Sequence, residues 1–124
     1  MIHLDTNYLI GLLVRGSIPA ADVDRWLAAG EDLAVSAVAW SEFLNGPVTA
    51  VEISRVGAVI QSRVVPFGPA EAALAADLFN KTGRRRGSRF DCLIAATAIA
   101  ANASLATVNT ADFKPFTAHG LKLA

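Results

Sequence analysis

Met1-Ile2-His3-Leu4-Asp5-Thr6-Asn7 opens the chain, and the apolar segment Tyr8-Leu9-Ile10-Gly11-Leu12-Leu13-Val14 follows it. A short apolar run stops at a carboxylate, two small polar residues intervene, and apolar residues resume. This reads as a buried strand over Ile2–Leu4 that turns directly into a helix, with Thr6 as its cap and Leu13 near its end. In an open parallel sheet, ligands bind at the carboxyl ends of the strands. Asp5 stands at such an end, so it is a candidate ligand for a metal ion or a phosphate group.

The same alternation continues outward. Gly16-Ser17-Ile18-Pro19 breaks the first helix, and Ala20–Ala29 predicts a second, with Val23, Trp26 and Leu27 on one face. Leu33–Ser36 reads as a strand, Ala37–Leu44 as a helix closed by Asn45-Gly46-Pro47, and Val48–Gln61 as another helix. Arg63–Pro66 is a third strand. Pro69–Lys81 is the clearest helix, with proline in its first turn and a regular apolar face. A basic loop, Thr82–Arg89, leads into an apolar helix over Phe90–Asn102. Strands over Ser104–Thr107 and Leu121–Leu123 end the series. Short strands alternating with helices imply parallel β-α units joined by right-handed crossovers. The expected class is α/β: one domain spanning residues 1–124, with a parallel sheet of about five short strands and helices on both faces.

Composition bounds the function. A chain of 124 residues suits one domain with a proper core. Eleven basic residues balance eleven acidic ones, so net charge by itself indicates no nucleic-acid binder. Cys92 is the sole cysteine, which excludes an intrachain disulfide and a cysteine-based zinc site and fits a reducing compartment. No secretory signal is visible. The charge-free run Cys92–Ala111 is about long enough to cross a bilayer, for which ~20 residues are needed. Its six Ser, Thr and Asn residues fit a buried helix and strand better. A cytoplasmic protein without a membrane segment is expected.

Four acids are singled out: Asp5, Glu42, Asp91 and Asp112. Each also has an ordinary structural role available. Asp5 can cap the helix after it, and Glu42 can be a solvated residue beside the apolar stripe Ala39, Trp40, Phe43 and Leu44. Asp91 can complement a helix dipole, and Asp112 can belong to a turn with Asn109. Taken together they point elsewhere. Asp5 and the Asn109–Asp112 segment both follow strands, whose ends share one edge of a parallel sheet, and the two other helices need only pass over that edge. Crowded carboxylates repel one another and take up protons unless a cation offsets the charge. Mg²⁺ or Mn²⁺ suits carboxylate and water oxygens and contacts substrate phosphate. Such a site can activate water against a phosphodiester.

The same residues resemble the PIN-domain ribonucleases, and among them the VapC-type toxins of prokaryotic toxin–antitoxin pairs. Leu4-Asp5-Thr6-Asn7 resembles the opening motif of that family, and Ser41-Glu42-Phe43-Leu44 its helix-borne glutamate segment. Asp91-Cys92-Leu93-Ile94-Ala95-Ala96-Thr97-Ala98 is the most specific match. Thr107-Val108-Asn109-Thr110-Ala111-Asp112-Phe113 is similar to the closing motif. The resemblance implies a single PIN-like domain and an Mg²⁺- or Mn²⁺-dependent endoribonuclease. Its metal ligands and catalytic acids would be Asp5, Glu42, Asp91 and Asp112, with Asp5 and Asp91 the direct ligands. Glu42 and Asp112 would serve a second metal or act through water. Asn7, Thr107 and Asn109 would hold the carboxylates or the attacking water by hydrogen bonds. RNA, a cognate antitoxin and a second copy of the chain are the implied partners. Residues 46–68 carry no family signature, and substrate choice is expected to be set partly there.

Lys81, Arg84, Arg85, Arg86 and Arg89 concentrate five of the eleven basic residues just before Asp91. A solvated loop explains such a run; a phosphate-gripping patch beside an acidic site explains its position as well. His3 and Cys92 are read as packed residues, His119 as exposed, and Trp26, Trp40, Phe43, Phe79 and Phe90 as core or dimer contacts. Two other functions compete. An aspartyl-phosphate on Asp5 would want a second acid where Asn7 stands and a lysine near the phosphate. A non-catalytic domain that binds RNA or a partner would use the same fold.

Overall fold

Ile2–Leu4 form β1, and all three residues are buried because a central strand has neighbours on both sides. The computed structural model describes the whole chain, Met1 to Ala124. Four further strands are β2 (Leu33–Ser36), β3 (Val64–Val65), β4 (Ser104–Ala106) and β5 (Lys122–Leu123). They join β1 in one sheet of order β3-β2-β1-β4-β5, and every pairing is parallel. The expected five-stranded parallel α/β architecture is the one observed.

The helices are α1 (Thr6–Gly11), α2 (Ile18–Ala28), α3 (Ala37–Leu44), α4 (Ala50–Val59), α5 (Pro69–Lys81), α6 (Arg89–Ala100) and α7 (Thr110–Phe113). From β1 the chain steps to β2 and β3, then returns to the other side of β1 for β4 and β5. Right-handed crossovers therefore place the connections of the two halves on opposite faces of the sheet. The reversal makes β1 and β4 neighbours, with Leu4 opposite Ala106. A crevice at their carboxyl ends follows from the topology.

Local chemistry sets the boundaries. Asp5, not Thr6, is the N-cap of α1: its Oδ1 accepts the Thr6 backbone N–H at 2.8 Å, and Thr6 is already helical. The helix also ends at Gly11, two residues before Leu13. Ser17 caps α2 and Pro19 sits in its first turn, so the expected breaker segment is a helix start. Thr49 and Glu52 form a reciprocal capping box that fixes the start of α4. After β4 the sequence reading missed α7 and the tighter 3₁₀ turns of Lys114–His119. Phe113 and Phe116 are buried there edge to face, 6.0 Å between ring centres. Gly120 at φ 108° ends that segment in the left-handed region and returns the chain towards β5.

The core is aliphatic around the sheet, with Leu4, Leu9, Leu33, Val35, Leu78 and Leu105 essentially inaccessible. Alanines dominate the inner face of α6, where Ala95, Ala96 and Ala98 are fully buried and leave room for a close approach to its neighbours. Leu27 and Leu44, assigned to apolar faces from their spacing, are 43% and 42% exposed. No helix is long and apolar enough to cross a membrane.

Gly11 marks the tightest helix contact. A Cβ on it would stand 2.5 and 2.6 Å from the Cγ and Cβ of Pro19, below any real contact distance. Gly11→Ala must push α2 from α1 and is expected to cost about 1–3 kcal/mol, the usual range for overpacking. Urea unfolding of the two proteins measures it; an unchanged midpoint would show that the α1–α2 junction yields freely.

Candidate functional site

Asp5 is 5% exposed at the end of β1, yet its carboxylate is fully engaged. Oδ1 accepts from the Thr6 backbone N–H. Oδ2 accepts from the Thr107 hydroxyl at 2.7 Å and from Asn7 Nδ2 at 3.2 Å. Because Leu4 pairs with Ala106, the residues that follow each strand are brought side by side, and the Asp5 backbone N–H bonds the Ala106 carbonyl at 2.9 Å. Thr107 is the hub of this edge. Its oxygen also accepts the Asn109 backbone N–H at 3.0 Å, while the Asn7 side-chain Oδ1 accepts from the backbone N–H of Val108 at 3.2 Å. Asn7 and Thr107 thus hold Asp5 directly. Asn109 contributes through its backbone, and its side chain makes no cap for α7.

Two other helices bring acids to this edge. Ser36 caps α3 by accepting the Ala39 N–H, and the Thr6 hydroxyl reaches the Ala39 carbonyl at 3.4 Å, tying α3 to α1. Glu42, one turn further on, feels the charge of Asp5. Asp91 lies half-buried in the first turn of α6, whose next face is the buried set Ile94, Ala95 and Ala98. With Asp112 from α7 it lines one cavity of about 340 Å³, completed by Arg85, Gly87 and Ser88.

The electrostatics record the crowding. Burial first, and then the charges of Asp5, Asp112 and Glu42, opposed by Arg85, together raise the Asp91 carboxyl to about 6. Asp5 is also raised by burial, against the three hydrogen bonds that favour its charged form. Glu42 is raised by partial loss of hydration and by Asp5. All four acids share one field.

They do not form a closed cage. No three Asp, Glu, His or Cys side chains converge tightly enough to hold a metal ion among themselves. This suits the donor chemistry of Mg²⁺, which is bound by one or two carboxylates and keeps most of its waters for exchange with phosphate oxygens. Hard oxygen donors, unrelieved like-charge repulsion and an open cavity fit a hydrated dication. A soft or cysteine-bound metal does not fit.

The basic residues divide. Lys81 is held by Asp77 in an ion pair of 2.9 Å on α5. Gly83 (φ 92°) and Arg84 (φ 55°) are both left-handed and close α5, with the Arg84 N–H on the Phe79 carbonyl. The Arg84 and Arg89 guanidinium groups lie 5.3 and 5.5 Å from the centre of the Phe79 ring. Arg84 also bonds the Asn80 side chain. Arg85 alone lines the acid cavity. Ser88, not singled out from sequence, fixes this turn: its hydroxyl donates to the Arg85 carbonyl at 2.8 Å, leaving α6 without a side-chain cap. A serine just before a predicted helix was the available signal.

His3 is buried with neither ring nitrogen hydrogen-bonded. Burial and the nearby amino terminus lower it to about 4, so it is a neutral packing residue at physiological pH. His119 is half-buried rather than exposed. Phe90, read as a core or dimer contact, is 62% exposed in the single chain and so is no part of its core.

The PIN-domain family model matches residues 2–116. Among solved structures, FitAcB from Neisseria gonorrhoeae is similar over 100% of this chain and 97% of its own, at 24% identity and a TM-score of 0.73. VapBC2 from Rickettsia felis, bound to a DNA fragment from its promoter, is 25% identical, with coverage of 100% and 98% and a TM-score of 0.70. A toxin–antitoxin complex from Klebsiella pneumoniae is 24% identical, covering 91% and 90%, with a TM-score of 0.69. No curated protein matches the sequence.

The raised Asp91 predicts a specific pH dependence for the metal-free protein. An acid with a folded pKa above its unfolded value binds more protons when folded, so its charging erodes stability as pH rises from about 4 to 6. His3, lowered on folding, has the opposite sign in nearly the same window, so the native protein's own curve conceals the effect. The difference between Asp91→Asn and the native protein isolates it. In EDTA the melting advantage of the variant should grow from pH 4 to 6 and then level off, and added Mg²⁺ at pH 7.5 should shrink it. An advantage independent of pH would show that Asp91 is not under this repulsion.

Proposed function

We propose that this chain, which belongs to the PIN-domain family, is a divalent-metal-dependent endoribonuclease and the toxin of a toxin–antitoxin pair. The observation that carries the reading is the meeting of β1 and β4, which sets the hydrogen-bonded Asp5–Thr107 pair beside the cavity of Asp91, Asp112 and Arg85. Two of the acids and one arginine line one cavity, and the charges of Asp5 and Glu42 reach Asp91 there. Neither a stability role nor a helix cap requires that arrangement, since the charges oppose folding.

Asp5 and Asp91 are the residues that would hold Mg²⁺, or Mn²⁺ in its place, with Glu42 and Asp112 available to a second ion or to water. The ion supplies Lewis acidity towards a phosphate oxygen and lowers the pKa of water. The protein's own groups do the rest. Thr107 and Asn7 keep the Asp5 oxygens in one orientation, a constraint typically worth about 10–100-fold in metal affinity or activity. Arg85 lines the same cavity as Asp91 and Asp112, where it can grip the phosphate that the acids would otherwise repel. Arg86 and Arg89 add positive charge in the turn that leads into α6 and at its first residue. Asp5 is poorly placed to form an aspartyl-phosphate, because it is buried and both oxygens already accept hydrogen bonds.

The toxin role is supported by the kinds of assembly formed by the similar structures, one a toxin–antitoxin complex and one bound to promoter DNA. On this reading the protein works in the cytoplasm, forms a homodimer, and is restrained by a cognate antitoxin.

Purified protein should cut labelled RNA with Mg²⁺ or Mn²⁺ and stop in EDTA. Asp5→Asn and Asp91→Asn should each lower kcat by at least about 10²-fold, the scale of losing a charged group that acts on the reacting centre. Expression of the native chain should arrest growth, and neither variant should do so. RNA bound but never cleaved, with any divalent cation, would replace this reading with a non-catalytic binding domain. A second measurement addresses the arginines. Neutralising Arg85, Arg86 and Arg89 together should raise KM and make its log–log dependence on salt shallower by about 2, since each single-strand phosphate contact contributes ~0.7. An unchanged slope excludes them from the RNA path.

A further inference from the structure

Phe90 stands one residue before Asp91 with nearly two thirds of its surface in solvent, in a chain whose other phenylalanines are mostly packed. It forms the ridge between two depressions. On one side, α5 and α6 enclose an almost wholly apolar groove floored by Phe67, Ala75 and Phe79. On the other, α3 and α6 enclose a cleft of about 320 Å³ lined by Val38, Ser41, Glu42, Asn45, Phe90 and Leu93. The second cleft mixes an aromatic face and aliphatic walls with polar groups. Neither the Ser41 hydroxyl nor the Asn45 side-chain amide takes part in a hydrogen bond within the chain, so both are free for a ligand.

Resting on the nuclease reading above, we infer that the α3–α6 cleft is a nucleobase subsite: an unpaired RNA base stacks on Phe90 and presents its edge to Ser41 and Asn45. The neighbouring phosphate then lies towards the acid cavity, where Arg85 is the cation available to it. Every base has a π-face for an aromatic ring, and an asparagine amide can both donate to and accept from a base edge. Charge favours this occupant over a protein. Arg84, Arg85, Arg86 and Arg89 have no carboxylate within ion-pair distance; they precede Phe90 in the chain, with Arg85 on the acid cavity and Arg89 on the α5–α6 groove that Phe90 also borders. A polyanion is what such a surface lacks. The α5–α6 groove carries one polar side chain, Arg89, whose guanidinium only donates and already lies over Phe79, and it is assigned no base.

The subsite fixes which base lies next to the cut, so Phe90 is a positioning residue for affinity and Ser41 and Asn45 are readers of identity. Single-stranded RNA oligomers carrying 2-aminopurine at successive positions test it with the full-length chain in EDTA, where nothing is cut. Native protein should quench the fluorophore at one position. Phe90→Ala should abolish the quenching and weaken binding about tenfold, the scale of one lost base–aromatic stack, while Phe90→Trp restores both. Asn45→Ala should leave the quenching and change which base is preferred. Circular dichroism verifies folding, which an exposed side chain does not support. Equal quenching and affinity in Phe90→Ala would overturn the subsite while leaving the nuclease intact. Loss of a native dimer in Phe90→Ala, with RNA contacts unaltered, would assign the ridge to a second copy of the chain instead. Failure of the native protein to bind any RNA, in EDTA and with Mg²⁺ alike, would overturn both this subsite and the nuclease reading.

Discussion

The hydrogen bond from Thr107 to Asp5, 2.7 Å long and joining residues on adjacent strand ends, is the contact on which the rest of the site depends. It is possible only because β4 is inserted beside β1 by the reversal of strand order. Asp5 is nearly inaccessible, and a buried carboxylate without partners would take up a proton or open the edge to water. Three donors keep it charged and aimed. That charge then acts on Glu42 and Asp91, which are less buried. The most buried acid thus raises both of them.

Function and stability pull apart here. The core of alanine-faced α6 against its neighbours, the capping of α1 by Asp5 and the box at α4 each favour the folded chain. The clustered acids do not. Burial and their repulsion together raise Asp91 to about 6, so near neutral pH the site holds unfavourable charge that a dication or a partner's cation can relieve. Protein and ligand are complementary in sign before they meet. Arg85 partly offsets the same repulsion from within the chain, and Ser88 holds the turn that carries it.

Much of this was readable from the chain. The strand-to-acid junction at Asp5, the periodic helix over Pro69–Lys81 and the order of the four acid-bearing segments were legible because they depend on local pattern. What stayed hidden were features whose cause is non-local. Leu27 and Leu44 have apolar spacing yet lie open, because spacing defines a face and not what covers it. Phe90, read as a core or dimer contact, lies outside the core for the same reason. The short α7 and the 3₁₀ turns after it have too few residues for a periodic signal and are held by the burial of Phe113 and Phe116. Among five clustered basic residues, composition could not tell Lys81, paired along its own helix, from Arg85, turned to the acids.

The amino-acid sequence by itself determined the α/β class, the order of elements and the residues able to bind a hard cation, since these follow from hydrophobic period, capping chemistry and side-chain type. Only the tertiary structure decided which of those residues share a crevice, that the acids couple through their charge without closing into a cage, and that one arginine and one exposed aromatic border them. Charge interaction and stacking depend on distances between segments far apart in the chain, and such distances exist only once the sheet has been assembled.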